Sequence, residues 1–275
     1  MLIDEIKKRE INIFEAFALG RLVYGKSASM IFNIVFILGV PITLLIYYLS
    51  SAVNGVVANF DIMSIIQDSR MLEQFMTTQA GKQFYIYILL NILSYIVFLP
   101  LISLSVSKIT NSFLYEEPIT ISGVISSVLS KSHIIIPAAL LNSILVFSWV
   151  VFASATGLMV LVILCLITYV YLIFYECAII LDNKGIVESL KYSAYLVKGR
   201  ILVTMLLAML LLAVSNSASY LIAIVFSLFG ESIVGNVCMN IVSMFVSAYF
   251  TVVLTVYYIS RQGQKERDEN SMQAS

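Results

Sequence analysis

The chain has 275 residues and no formal net charge; 60% of its residues are apolar and only 12% are charged, and its mean hydropathy is +0.98. A soluble domain averages about 25% charged residues, so this composition excludes a soluble globular fold. The balance of charge gives no reason to expect a nucleic-acid partner.

Six long uncharged runs identify the solvent. They are 28–52, 84–106, 134–153, 157–180, 201–229 and 233–259, and the one charged residue within them is Glu176. About 20 apolar residues at 1.5 Å rise span a hydrocarbon core of roughly 30 Å. The expected architecture is an all-α integral membrane protein: a single six-span domain over residues 1–260, then a polar tail, 261–275.

Ahead of the first span, "IFEAFALGRLVYGKS" (Ile13–Ser27) sets Phe14 and Phe17 beside basic Arg21 and Lys26. This pattern suits an amphipathic elbow helix lying in the inner headgroup layer. Some 27 residues precede the first apolar run, which is itself too long for a signal h-region, so no cleavable signal peptide is expected. Pro41 in span one and Pro100 in span two are expected to kink their helices. Between these spans lies a long loop, Val53–Gln83, whose Ile62, Ile65, Ile66, Leu72, Phe75 and Met76 recur at helical spacing. It reads as one or two helices on the outer leaflet or as a cap.

A second elbow, "PITISGVISSVLSKS" (Pro118–Ser132), precedes span three, with Ile121, Val124, Ile125 and Val128 on one side and Lys131 near its end. Spans three and four are joined by "ASATG" (Ala153–Gly157), and spans five and six by "FGES" (Phe229–Ser232). Links this short force antiparallel hairpins. Glu176 lies about a turn from the end of span four. It is expected either to reach the interface or pair with an elbow lysine, or to serve as a proton- or substrate-coupled site.

The third elbow, "GIVESLKYSAYLVKGR" (Gly185–Arg200), places Ile186, Leu190, Ala194 and Val197 on one face and Glu188, Lys191, Tyr195 and Lys198 on another. Lys198 and Arg200 stand where the chain turns into span five. The lipid-phosphate candidates are therefore Arg21, Lys26, Lys131, Lys191, Lys198 and Arg200. Span six carries a polar stripe, Asn236, Asn240, Ser243, Ser247, Thr251 and Thr255. Asn33, Asn91 and Asn142 in other spans fit the same polar interior. Such residues hydrogen-bond helices together in a membrane, and they are also where a pore would be sought; with Glu176, Asn236 and Asn240 form the candidate intramembrane site. The tail from Arg261 has no apolar periodicity and is expected to be disordered.

Fourteen of the sixteen Lys and Arg residues fall on the N-terminal side of these spans. The positive-inside rule then predicts both termini in the cytoplasm. Catalytic and cofactor patterns are missing: there is no GxxxxGK[ST], HExxH, GxSxG or CxxC. Cys165, Cys177 and Cys238 all lie within spans and read as small packing residues. His133, the one histidine, reads as an interfacial polar side chain. No cofactor or metal is expected.

The segment from Glu176 to Leu212 resembles a recurrent pattern in a broad group of prokaryotic six-span proteins of obscure function. That group includes the membrane domain attached to some glycerophosphoryl diester phosphodiesterases. Gly185, Ser189, Leu190, Ser193, Leu196, Lys198 and Gly199 match the pattern position by position. The soluble phosphodiesterase module is absent from this sequence, so the resemblance implies a bacterial-type plasma-membrane protein without that activity. The first expectation for function is a non-enzymatic membrane protein: a lipid-interacting scaffold, an accessory subunit of other membrane proteins, or an envelope protective factor. A permease-like transporter for a peptide or lipid is the alternative, and an intramembrane enzyme the third.

Overall fold

The computed structural model describes residues 2–8, 10–57, 69–158, 160–227 and 233–273. Among these residues there are helices and connections but no strands. The helices are α1 (Leu2–Lys8), α2 (Ile13–Ile34), α3 (Val40–Val57), α4 (Ser69–Thr77), α5 (Gln79–Leu93), α6 (Leu99–Tyr115), α7 (Ile121–Ser130), α8 (Ser132–Thr156), α9 (Val160–Leu172), α10 (Tyr175–Leu181), α11 (Ile186–Val197), α12 (Ile201–Ser227) and α13 (Ile233–Gln273). Six stretches are long and apolar enough to cross a membrane: Ile13–Tyr48, Gly81–Tyr115, Ser132–Ala153, Val160–Leu181, Ile201–Phe226 and Val237–Gln273. The chain is an all-α, multi-pass membrane protein.

The first elbow is not a separate helix. Asn12 caps α2, accepting from the Glu15 amide at 2.9 Å while Glu15 accepts from the Asn12 amide at 3.0 Å. From there α2 runs unbroken into the first span. Its buried residues, Ile13, Ala16, Gly20, Val23, Ser27, Ile31 and Ile34, repeat every three or four positions, so one face serves both the expected elbow and the span. That face packs along α13. A Cβ on Gly20 would lie 2.6 Å from Val253 Cγ2, so glycine permits the close approach. Two tyrosines cross the interface in opposite directions: Tyr24 donates to the Phe245 carbonyl and Tyr249 to the Phe17 carbonyl, each at 3.2 Å.

The second and third elbows are discrete helices. Thr120 caps α7 by accepting from the Gly123 amide at 3.1 Å, and Val124 and Val128 are buried beneath it, close to the face that the spacing predicts. Helix α11 differs from its predicted pattern. It buries Ser189, Leu190, Ser193, Leu196 and Val197, while Ala194 is only partly covered and Val187 is exposed. Two serines face inward because each finds a carbonyl to bond: Ser189 that of Ile186 at 2.8 Å, Ser193 that of Tyr171 at 2.7 Å.

Pro41 and Pro100, where kinks are expected, each stand beside a specific feature. Each follows a wide, π-helical turn, Val35–Gly39 and Ser94–Phe98 respectively. Proline lacks an N–H and its ring pushes away the carbonyl four residues back, which belongs to Ile37 in one case and Ile96 in the other. A widened turn accommodates both effects without ending the helix.

The tail from Arg261 is ordered, contrary to its composition. It continues α13 through Gln273, with its first turn packed against two neighbours and most of its later residues exposed. Gly263 lies so close to α1 that a Cβ there would meet the Lys7 carbonyl oxygen at 2.8 Å. Buried Arg261 donates to the Leu196 carbonyl from Nε at 3.2 Å and Nη2 at 2.9 Å, capping the end of α11. Tyr195 on α11 donates to Glu269 at 2.5 Å. With α1 also against α6, both ends of the chain meet at one end of the bundle. The turn at Phe229–Ser232 and the loop periodicity at Ile62–Ile66 lie outside the described residues; α4 and α5 follow that loop. Gly157 ends α8 with φ +67°, as the short third link requires.

Candidate functional site

Span four is broken. Helix α9 stops at Leu172 and α10 starts at Tyr175, with Phe174 at φ −100° and ψ 3° between them. No proline or glycine stands in "YLIFYEC". The break is held from outside: the Phe174 amide donates to Ser193 Oγ at 3.0 Å, and Ser193 donates in turn to the Tyr171 carbonyl at 2.7 Å. One hydroxyl thus satisfies an amide and a carbonyl that the helical ladder has released.

The break places Glu176 in the first turn of α10, facing an open pocket of about 290 Å³ whose lining runs out to exposed Ser247. Ser103 on α6 donates to one carboxylate oxygen, and Tyr175 donates to the other at 3.1 Å. Asn142 and Ser143 from α8 and Met244, Ser247 and Thr251 from α13 complete the polar and apolar lining, with Leu99 and Pro100 just after the second wide turn. The Asn142 Oδ1 is buried and has no hydrogen-bond partner. An orphaned buried acceptor costs about 1–3 kcal/mol, so the fold carries it at a price in stability. Gly39, at the end of the first wide turn, abuts Met244 and Ile102 of the same lining.

The polar face of α13 extends beyond the cavity. Thr255, buried, donates to Ser107 Oγ at 3.0 Å and lies 3.9 Å from Cys177 Sγ. Further along, Tyr258 donates to Asp182, and Gln262 reaches the second oxygen of Asp182 at 3.3 Å. Lys7, Tyr115, Glu117 and Asp182 line a further cavity of about 230 Å³ at this end. Hydroxyl, thiol and carboxyl groups therefore succeed one another from Glu176 to the end of the bundle where the chain termini meet.

The remaining candidate residues separate into distinct roles. Asn240 is exposed, away from the Glu176 cavity lining, and the side chain of Asn236 lies outside the described residues. Lys131 is not directed at lipid. Its ammonium donates to the carbonyls of Ile179 and Ile180 at 3.0 and 3.1 Å and to Asn183 Oδ1 at 2.5 Å, capping α10 where cations complement a helix end. Burial, together with the Lys108 charge, pushes its pKa below the ordinary lysine value. Arg200 forms an ion pair with Glu10. Arg21, Lys191 and Lys198 are exposed, and Lys26 lines a groove with Glu116 and Glu117.

Sequence reasoning missed Ser103, Ser193, Asp182 and Arg261. Ser193 had a signal, since it belongs to the matched pattern in the third elbow; a serine on the side of an amphipathic helix opposite its lysines needs a buried partner. Comparison of the chain with known protein families, curated proteins and solved structures gives no match.

Proposed function

We infer that the chain is a non-enzymatic, permease-like membrane protein that binds a small ligand at Glu176, inside its bundle. The observation that carries this reading is a convergence. The break in span four puts Glu176 on the cavity that also holds an unpartnered amide oxygen. One wide turn ends a residue before the lining residue Leu99, and Gly39 of the other packs against the lining residues Met244 and Ile102. Wide turns recur at functional sites, and discontinuous membrane helices build binding sites near the middle of transporters. A carboxylate within a span carries a desolvation cost even about a turn from its end, and packing alone offers no reason to keep it there.

Binding and passage fit this lining better than catalysis does. Apart from Glu176 and Tyr175, its polar members are hydroxyls and one amide, so a carboxylate stands without a second carboxylate, histidine or lysine to complete an acid–base pair. The distribution of basic residues supports both termini on the cytoplasmic side of a plasma membrane. The resemblance to prokaryotic six-span proteins agrees with that setting.

Cysteine accessibility tests the reading. With Cys165, Cys177 and Cys238 replaced by serine, a cysteine at Ser247 or Thr251 is expected to react with a small, charged methanethiosulfonate reagent added to vesicles. A cysteine at Thr255, buried on Ser107, is the unreactive control. Failure of both cavity positions to react would mean a dry structural interior and would sink the permease reading.

A lipid-interacting scaffold is the second reading, favoured by the exposure of Lys191 and Lys198 on and beside α11. A basic residue near an anionic surface contributes about 1 kcal/mol. Replacing both lysines with Gln should then reduce retention of cardiolipin in native mass spectrometry.

A further inference from the structure

Separate from the Glu176 cavity, a groove of about 550 Å³ runs between α2 and the end of α6 with its link to α7. Its floor is apolar, made by Val23, Met30 and Leu114 among others, and its rim carries Lys26 together with Glu116 and Glu117. Among the described residues, Lys26 forms no ion pair with either carboxylate; the opposite charges face the same space without closing on each other. Their depth is set by the spans. Measured from the uncharged runs, Lys26 stands two residues before the one that opens at Ala28, and Glu116 stands ten residues after the one that ends at Val106. The groove therefore lies where lipid headgroups begin.

Glu116 adds a second, independent observation. It ends α6 in the left-handed conformation, φ 58° and ψ 29°, where glycine is the ordinary occupant. Strained backbone of this kind clusters at functional positions, and here the residue held in it is a carboxylate lining the groove.

The geometry points to a phospholipid whose headgroup carries both a phosphate and a protonated primary amine, as in phosphatidylethanolamine, seated in this groove. Lys26 meets the phosphate. Glu116 and Glu117, acceptors only when ionised, meet the ammonium and its three donors. The apolar floor covers the start of an acyl chain. A purely anionic headgroup would place its charge against two carboxylates, and a quaternary ammonium would offer them no proton to accept.

The test uses the full-length protein in vesicles of equal phosphatidylethanolamine, phosphatidylglycerol and phosphatidylcholine, with retained lipid read by native mass spectrometry. Phosphatidylethanolamine is expected to be retained about threefold over each of the others, a ratio that one interfacial ion pair supplies. Glu116→Gln with Glu117→Gln should abolish that preference, and Lys26→Gln should lower retention of phosphatidylethanolamine and phosphatidylglycerol alike. Glu116→Gly with Glu117→Gln removes the charges while suiting the left-handed backbone, so loss of preference there cannot be ascribed to misfolding. Equal retention of the three lipids, preference for phosphatidylglycerol, or a preference untouched by either carboxylate pair would overturn the assignment.

Discussion

Ser193 and Phe174 stand 19 residues apart in sequence and meet at the break in the fourth span, the amide of one donating to the hydroxyl of the other at 3.0 Å. The same hydroxyl donates to Tyr171, so a single oxygen on α11 holds open the gap that turns Glu176 into the bundle. Ser193→Ala leaves a buried amide and a buried carbonyl without partners. The expected loss is about 1–3 kcal/mol, read as a lower melting temperature in detergent. An unchanged melting temperature would mean that the gap is closed by other contacts.

Asn142 separates site from scaffold. Its Oδ1 is buried and unpartnered, so Asn142→Leu, close in volume and apolar, should raise stability by about 1 kcal/mol or more while abolishing whatever phenotype the intact gene complements. Glu176→Gln should behave similarly in function, with folded protein recovered in normal amount. A fall in melting temperature for Asn142→Leu would assign that side chain to structural hydrogen bonding and remove it from the site.

Arg261 tests the order of the tail. Its two bonds to the Leu196 carbonyl are charge-assisted, and Arg261→Met should cost roughly 1.5–3 kcal/mol. The C-terminal segment should also become the first site of limited proteolysis. Resistance of that segment in the variant would show that α1 alone retains it.

Alkaline pH should loosen the same region. The hydrogen bond from Tyr195 to Glu269, then burial, raises the phenol of Tyr195 to about 12 from the ordinary 10. A folded-state pKa above the unfolded value means the contribution is whole below pH 10 and is lost as pH climbs through 12. Absorbance titration near 295 nm should show a late-ionising tyrosine that Tyr195→Phe removes, with tail proteolysis rising over the same range. A Tyr195→Phe titration that loses amplitude near pH 10 and keeps the whole late phase would refute the contact.

Much of the fold was legible because hydropathy acts over long windows. The uncharged runs mark the spans and Glu176 is conspicuous in one of them, whereas the prolines drew attention to both helices without announcing the wide turns beside them. The break at Phe174 was not legible, since its cause lies 19 residues away in a serine rather than in a local breaker. The tail misled for a related reason: its charges, read singly, look solvated, and only the approach of α1 at Gly263 and of Leu196 at Arg261 gives them partners. The bonds of Lys131 to the carbonyls at the end of α10 were not legible, because those free carbonyls are set by topology. Spacing within one helix cannot report them.

The pairing of α2 with α13 has a consequence for biogenesis. The first span's buried face is shared between α6 and the last span, and contacts such as Phe17 with Tyr249 join residues 232 positions apart. At about 5–20 residues per second, synthesis leaves the last span's share of that face uncovered for roughly ten to fifty seconds. Throughout that interval the Gly20 face and the backbone acceptors at Phe17 have only lipid or the insertion machinery for company. A ribosome stalled before residue 245 therefore yields a chain whose first span lacks the partner that covers its Gly20 face.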